Sequence, residues 1–142
     1  MAVAAMLLNL AACQQYRLPP APANSPASVG LFAVADGGAI AGEWRVAGLN
    51  GHSLDDPQEI TASITARSLQ VSSGCINAAW SMRIANGAAA LARIPVEGCA
   101  RSFTPTEEAL VTALDSARHA YRRTDNSLMF DGPRGAVVLF TQ

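Results

Sequence analysis

A change of hydrophobic period along the chain limits what it can fold into. Between residues 40 and 94 apolar side chains recur at every second position, and turn signals separate the runs. "AIAGEWRVAGLNG" alternates Ile40, Gly42, Trp44, Val46 and Gly48, then Leu49 breaks step before Asn50-Gly51. "EITASITA" sets Ile60, Ala62 and Ile64 against Thr61, Ser63 and Thr65. "SLQVS" follows, then "AWSMRIA" with Trp80, Met82 and Ile84 on one side, a turn at Asn86-Gly87, and "AALARIPV". A period of two with Asn-Gly between runs is the pattern of short antiparallel strands joined by tight hairpins.

One segment departs from that rhythm. "FTPTEEALVTALDSARHAY" opens with Thr104 as N-cap, Pro105 at the first helical position and Glu107 three residues after the cap. This is a capping box, with the proline where its missing N–H costs nothing. Leu110, Val111, Leu114, Ala117 and Tyr121 recur at helical spacing, which predicts an amphipathic helix running through Tyr121. Glu107 and Glu108 then lie at the positive end of the helix dipole, and Arg118, Arg122 and Arg123 at the negative end. "NSLMFDG" and "GAVVLFT" follow as a final hairpin around Gly132–Gly135. A sheet with one apolar face needs a cover, and one amphipathic helix is available. The expected fold class is α+β, mainly β: a curved antiparallel, barrel-like sheet with one helix packed on it. Trp44 and Trp80 read as core or rim residues of that sheet.

Ahead of this domain stands "MAVAAMLLNLAACQQ". The apolar run is shorter than the roughly 20 residues that span a bilayer, but it has the length of a signal-peptide hydrophobic region. It ends in Leu10-Ala11-Ala12-Cys13, which looks like a bacterial lipobox. In that motif a diacylglycerol is attached to the cysteine thiol and the chain is cut before it. "QQYRLPPAPANSPAS" follows at once, so no buried helix continues from the leader. The sequence therefore divides into a lipoprotein signal peptide over 1–12, the lipidated Cys13 with a Pro/Ala-rich tether over 13–39, and a folded domain over 40–142. "VGLFAVA" at 29–35 reads either as a first strand or as the end of the tether. Gln14, rather than Asp, after Cys13 resembles an outer-membrane address, which puts the domain on the periplasmic face of that membrane.

The chain holds three cysteines. With Cys13 used by lipid, Cys75 and Cys99 remain, and in an oxidising compartment a leftover pair reads as one disulfide. Such a loop stabilises a fold by roughly 3 kcal/mol in the chain-entropy model. The net charge is −1, with a pI near 6.1, and every basic residue is Arg. That overall balance leaves no electrostatic footprint for nucleic acid or for an anionic membrane surface.

Several strings, in order, resemble the META domain, the family of HslJ-like heat-shock proteins found in many bacterial envelope lipoproteins. They are Gly42-Glu43-Trp44, Leu49-Asn50-Gly51, Gly74-Cys75 followed by Asn77, Cys99 after the next hairpin, Glu107-Glu108 opening the helix, and Leu128 ahead of "VVLF". Ile76 interrupts the family's usual Gly-Cys-Asn, and "IPVEG" stands where a threonine pair is common. The resemblance covers about residues 40–142. It implies a barrel-like sheet with one helix, no enzyme activity, no cofactor and a stress-related binding or structural role.

Candidate chemistry reads as structure. Asp55 and Asp56, beside His52 in "GHSLDDPQ", are turn formers before proline. Glu107 and Glu108 serve the helix start, and His119 lies near the expected helix end. "DGPRG" is a hairpin tip rather than a phosphate cradle, and "SSGC" lacks the last glycine of a nucleophile elbow. No catalytic residue, metal ligand or cofactor is assigned. The expected partners are the membrane, through the lipid, and an envelope protein. The alternative is a pilot- or chaperone-like lipoprotein with an apolar groove between helix and sheet. A hydrolase or small-ligand carrier would need polar groups converging in a cleft.

Overall fold

The computed structural model describes residues 30–54, 59–74, 76–97 and 100–142. The leader over 1–12, the tether as far as residue 29, and Asp55 and Asp56 lie outside the described residues.

Among the described residues ten strands and one helix follow each other along the chain. They are β1 (Leu31–Ala33), a 3-10 turn (Gly37–Ile40), β2 (Gly42–Leu49), β3 (His52–Ser53), β4 (Thr61–Ile64), β5 (Ser68–Ser73), β6 (Ile76–Ala85), β7 (Ala88–Ile94), α1 (Pro105–Asp115), β8 (His119–Arg123), β9 (Leu128–Gly132) and β10 (Gly135–Thr141). β2, β4, β5, β6, β7, β8, β9 and β10 pair in that order and β10 returns to β2, which closes an eight-stranded antiparallel barrel. The expected fold class is the observed one.

Local chemistry builds the barrel. Asn50 (φ 54°) and Gly51 (φ 82°) link β2 to β3, and Asn86 (φ 47°) and Gly87 (φ 83°) link β6 to β7. Positive φ at both central residues is the type I′ turn, whose twist matches that of the flanking strands. The break in alternation at Leu49 is a β-bulge. Val138 pairs with Gly48 but Leu139 with Val46, so Ala47 is the extra residue and Leu49 returns to the core face.

The interior is filled by side chains, as an eight-stranded barrel of this width allows. Trp80, Phe130, Leu69 and Leu128 are buried, and Leu110, Val111, Ala113 and Leu114 of α1 join the same cluster. The helix leaves the end of β7, packs against β7, β9 and β10, and leads into β8, so it covers one mouth of the barrel. A Cβ on Gly132 would meet Ser116 O at 2.1 Å, so only glycine lets the β9–β10 hairpin lie this close to the end of α1. Both tryptophans are core residues, 2% exposed at Trp44 and 0% at Trp80.

The structure corrects two boundaries. First, α1 ends at Asp115, with Ser116 as C-cap. Tyr121 is therefore not on the helix stripe, and Arg118, His119, Arg122 and Arg123 do not complement its dipole. Residues 119–123 form β8, the strand that joins β7 to β9 and completes the closed sheet. The gain from barrel closure outweighs a helical periodicity that would otherwise run on. Second, the stretch from 30 to 39 belongs to the folded domain rather than to the tether. β1 pairs with β8, Gly87 N–H donates to Val34 O at 2.7 Å, and Asp36 bridges to Ala85. β7 and β8 share a single residue pair, Ala88 with His119. The segment 31–36 crosses from β8 to the β6–β7 hairpin and seals that seam, burying Val34, and the 3-10 turn that follows buries Ile40.

The capping box forms as read. Thr104 Oγ1 accepts from Glu107 N–H at 3.3 Å, and Glu107 Oε2 accepts from Thr104 N–H at 2.7 Å. Thr104→Ala is expected to lower stability by about 1 kcal/mol, visible as a shifted urea midpoint with unchanged slope. An unchanged midpoint would mean the cap contributes nothing.

Candidate functional site

The residues singled out by the sequence fall into two groups. Cys13, Cys75 and Cys99 lie outside the described residues, and nothing in the fold tests the lipidation or the pairing.

The second group is described, and the structure does not gather it into a reaction centre. His52 is exposed on β3. His119 faces outward from β8 and stacks on Tyr121, with ring centroids 5.7 Å apart. Glu108 is exposed in the first turn of α1, whereas Glu107 is 3% exposed. Among the described residues no group of three His, Cys, Asp or Glu side chains could hold a metal ion.

Two charged clusters do form, both at the helix mouth. Arg101 donates to both carboxylate oxygens of Glu107, at 2.7 Å each. The Arg101 hydrogen bonds dominate over the opposing effect of burial, and with the Thr104 N–H they hold the Glu107 carboxyl at about 2. The same pairing raises Arg101 further above its ordinary value. This fork ties the end of the β7–α1 connection to the start of the helix.

In the other cluster Asp115 accepts from Trp80 Nε1 at 2.7 Å and from Arg93 Nε and an Arg93 terminal nitrogen at 3.1 and 3.0 Å. The Arg93 guanidinium also lies 5.1 Å from the Trp80 ring centroid. Burial alone would push the Asp115 carboxyl up, but the bonds from Arg93 and Trp80 together hold it below its usual range. Both Asp115 oxygens and the Trp80 N–H are spent on neighbours, so the arrangement is a clasp between the helix end, the core and β7.

Two cavities open on the outer surface among the described residues. The larger cavity, about 880 Å³, sits between the 3-10 turn, the β4–β5 turn and the outer face of β6 and β7. Its walls carry Asp36, Arg67 and Arg83, and its floor is Ser81, Ala90 and Ala92. Arg67 O accepts from Met82 N–H at 2.7 Å, which sets Arg67 beside Arg83 across the β5–β6 seam. Neither arginine has a carboxylate within ion-pair distance among the described residues. Asp36 is the N-cap of the 3-10 turn and accepts from Ala39 N–H at 3.0 Å. A second cavity of about 350 Å³ is bordered by His52, Arg123, Asp125 and Phe140. Neither cavity is lined by a residue of α1, and the apolar face of the helix is buried against the barrel core.

The sequence reading missed the Arg67 and Arg83 pair. Sixteen positions separate the two arginines, and only the β5–β6 register makes them neighbours. No protein-family model, no curated protein and no solved structure matches the chain.

Proposed function

We propose that this protein is a lipid-anchored domain of the bacterial cell envelope, of META/HslJ-like type, that acts through its outer surface rather than by catalysis. Cys13 carries the lipid, residues 14–29 are the spacer, and the barrel faces the periplasm from the outer membrane. Cys75 and Cys99 are joined there as a disulfide. A stress-related binding or structural role follows from the family resemblance.

The observation that supports this reading best is the filled barrel. Its interior is taken up by Trp80, Phe130, Leu69, Leu128, Leu110 and Leu114. A ligand or partner therefore meets the domain on its exterior. A closed barrel with one helix is also the architecture the META resemblance implies, and the folded domain begins close behind a lipobox-like Cys13.

The test is intact-mass and thiol analysis of the protein purified from bacterial membranes. The expected species begins at Cys13 and carries a diacylglycerol, and Cys13→Ser removes that mass. Cys75 and Cys99 are expected to resist maleimide until a reductant is added. A chain that retains residues 1–12 without lipid, or two freely reactive thiols, would overturn the corresponding half of the reading.

A further inference from the structure

We propose that the barrel end opposite α1 is a seat for anionic phospholipid headgroups. In this seat Arg67 and Arg83 take a headgroup phosphate in the outer groove, and Leu31 and Phe32 enter the bilayer interface. The orientation rests on the anchor reading above; the binding itself does not.

Charge is distributed unevenly between the two mouths of the barrel. Around α1 six carboxylates among the described residues, Glu59, Glu97, Glu107, Glu108, Asp115 and Asp131, exceed the four arginines there, Arg93, Arg101, Arg118 and Arg134, by two charges. At the opposite end the balance reverses. Arg67 and Arg83 border the groove, and Arg122 and Arg123 end β8. Three acids stand at this end, and one of them, Asp36, lines the groove, so the four arginines exceed them by one charge. Asp36 caps the 3-10 turn, Glu43 accepts from Ser63 at 2.7 Å, and Asp125 accepts from Ser127 and lies 3.7 Å from Arg123. Arg67 and Arg83 are exposed and, among the described residues, outside ion-pair distance of any carboxylate, on a floor of Ser81, Ala90 and Ala92. Small floor residues let a bulky anionic group descend between two guanidinium forks, whose geometry matches phosphate oxygens. No aromatic ring lines the groove, so it offers no stacking platform for a base or a sugar.

Exposed apolar residues stand at this same end. β1 pairs Leu31 with Arg123 and Phe32 with Arg122, and these two side chains are 50% and 60% exposed. Large apolar side chains beside cations, at the edge of a domain, are the composition of an interfacial anchor. The chain also enters the barrel here, since β1 is its first described strand. A lipid on Cys13 therefore tethers the basic end, and the acidic helix mouth points away from an anionic surface.

The experiment is flotation of the full 142-residue chain carrying Cys13→Ser, so that no covalent lipid contributes. Vesicles of phosphatidylglycerol mixed with phosphatidylcholine are compared with phosphatidylcholine alone. The difference between the two is read, so the apolar leader's own affinity cancels. An excess on the anionic vesicles is expected, fading at high salt. Arg67→Gln with Arg83→Gln should reduce that excess about 25-fold, or about fivefold per arginine. Both side chains are exposed, and far-UV circular dichroism checks that the variant stays folded. Equal partitioning onto the two vesicle types, or a double variant that keeps the full excess, overturns the proposal. So does saturation of the site by soluble glycerol 3-phosphate without any vesicle preference. Failure here leaves lipidation at Cys13 untouched, and an unlipidated native chain leaves the vesicle result standing.

Discussion

Replacing Trp80 with Ala is expected to destabilise the domain by about 3–5 kcal/mol. Trp80 is fully buried and heads the largest completely enclosed side chains of the barrel. It lies in register with Leu69 on β5 and Arg93 on β7, so its ring bridges the wall and the helix mouth. Truncation opens a cavity that a closed sheet, fixed by hydrogen bonds on both edges of β6, cannot collapse to fill. It also removes the indole N–H from Asp115 and the ring beneath Arg93. A domain of this size is stable by about 5–15 kcal/mol, so the loss is a large share of the total. Trp80→Phe separates the two contributions. It keeps much of the buried area and removes the N–H, while Arg93 still holds Asp115, and about 1–2 kcal/mol is expected. Urea denaturation of the three proteins is the measurement. A Trp80→Ala loss under about 1 kcal/mol would mean that the core is not anchored on this side chain.

Acidification is expected to weaken the domain between about pH 5 and pH 2, and Glu107 to account for a separable share. Its carboxyl sits at about 2 in the folded protein, below the ordinary value of 4.5. A folded-state value below the unfolded one means stability that is fully present above the unfolded value. That stability is lost as pH falls through the folded one. The causes are the Arg101 fork and the Thr104 N–H, both of which bind the ionised form. Asp115 and Asp125 are also held low and contribute with the same sign. Glu107→Ala should therefore cost about 2–3 kcal/mol near neutral pH. It should also flatten the acid side of the stability–pH curve without abolishing the slope. Chemical denaturation at a series of pH values decides it. Parallel curves for the two proteins would show that Glu107 is not ionised against its partners.

Much of this architecture is legible in local chemistry. The two Asn-Gly turns need only their own φ preferences, and each is where the dipeptide stands. The capping box at Thr104 and Glu107 closes within four residues, so its outcome depends on little else. Even the bulge at Ala47 leaves a trace, because an extra residue in a strand shifts the apolar phase between Val46 and Leu49. The site is another matter. Arg67 and Arg83 belong to different strands, and the charge difference between the barrel mouths is a property of eight strands together.

The two misread boundaries share one cause. "ARHAYRR" after Ser116 continues a helical period and carries no local mark of its strand, while "VGLFAVA" before Asp36 borders a proline-rich tether and by itself allows either a strand or the tether's end. Both become strands because a sheet seven strands round has two open edges, whose unpaired N–H and C=O groups only another strand can satisfy. By itself the sequence determined the two Asn-Gly hairpins, the Thr104 cap and the apolar faces of β2, β4 and β6, since those depend on contacts within a few residues. The tertiary structure alone decided that the sheet closes, that β1 and β8 complete it, and which charges meet at each mouth, because such contacts are energetically defined only once distant segments are held side by side.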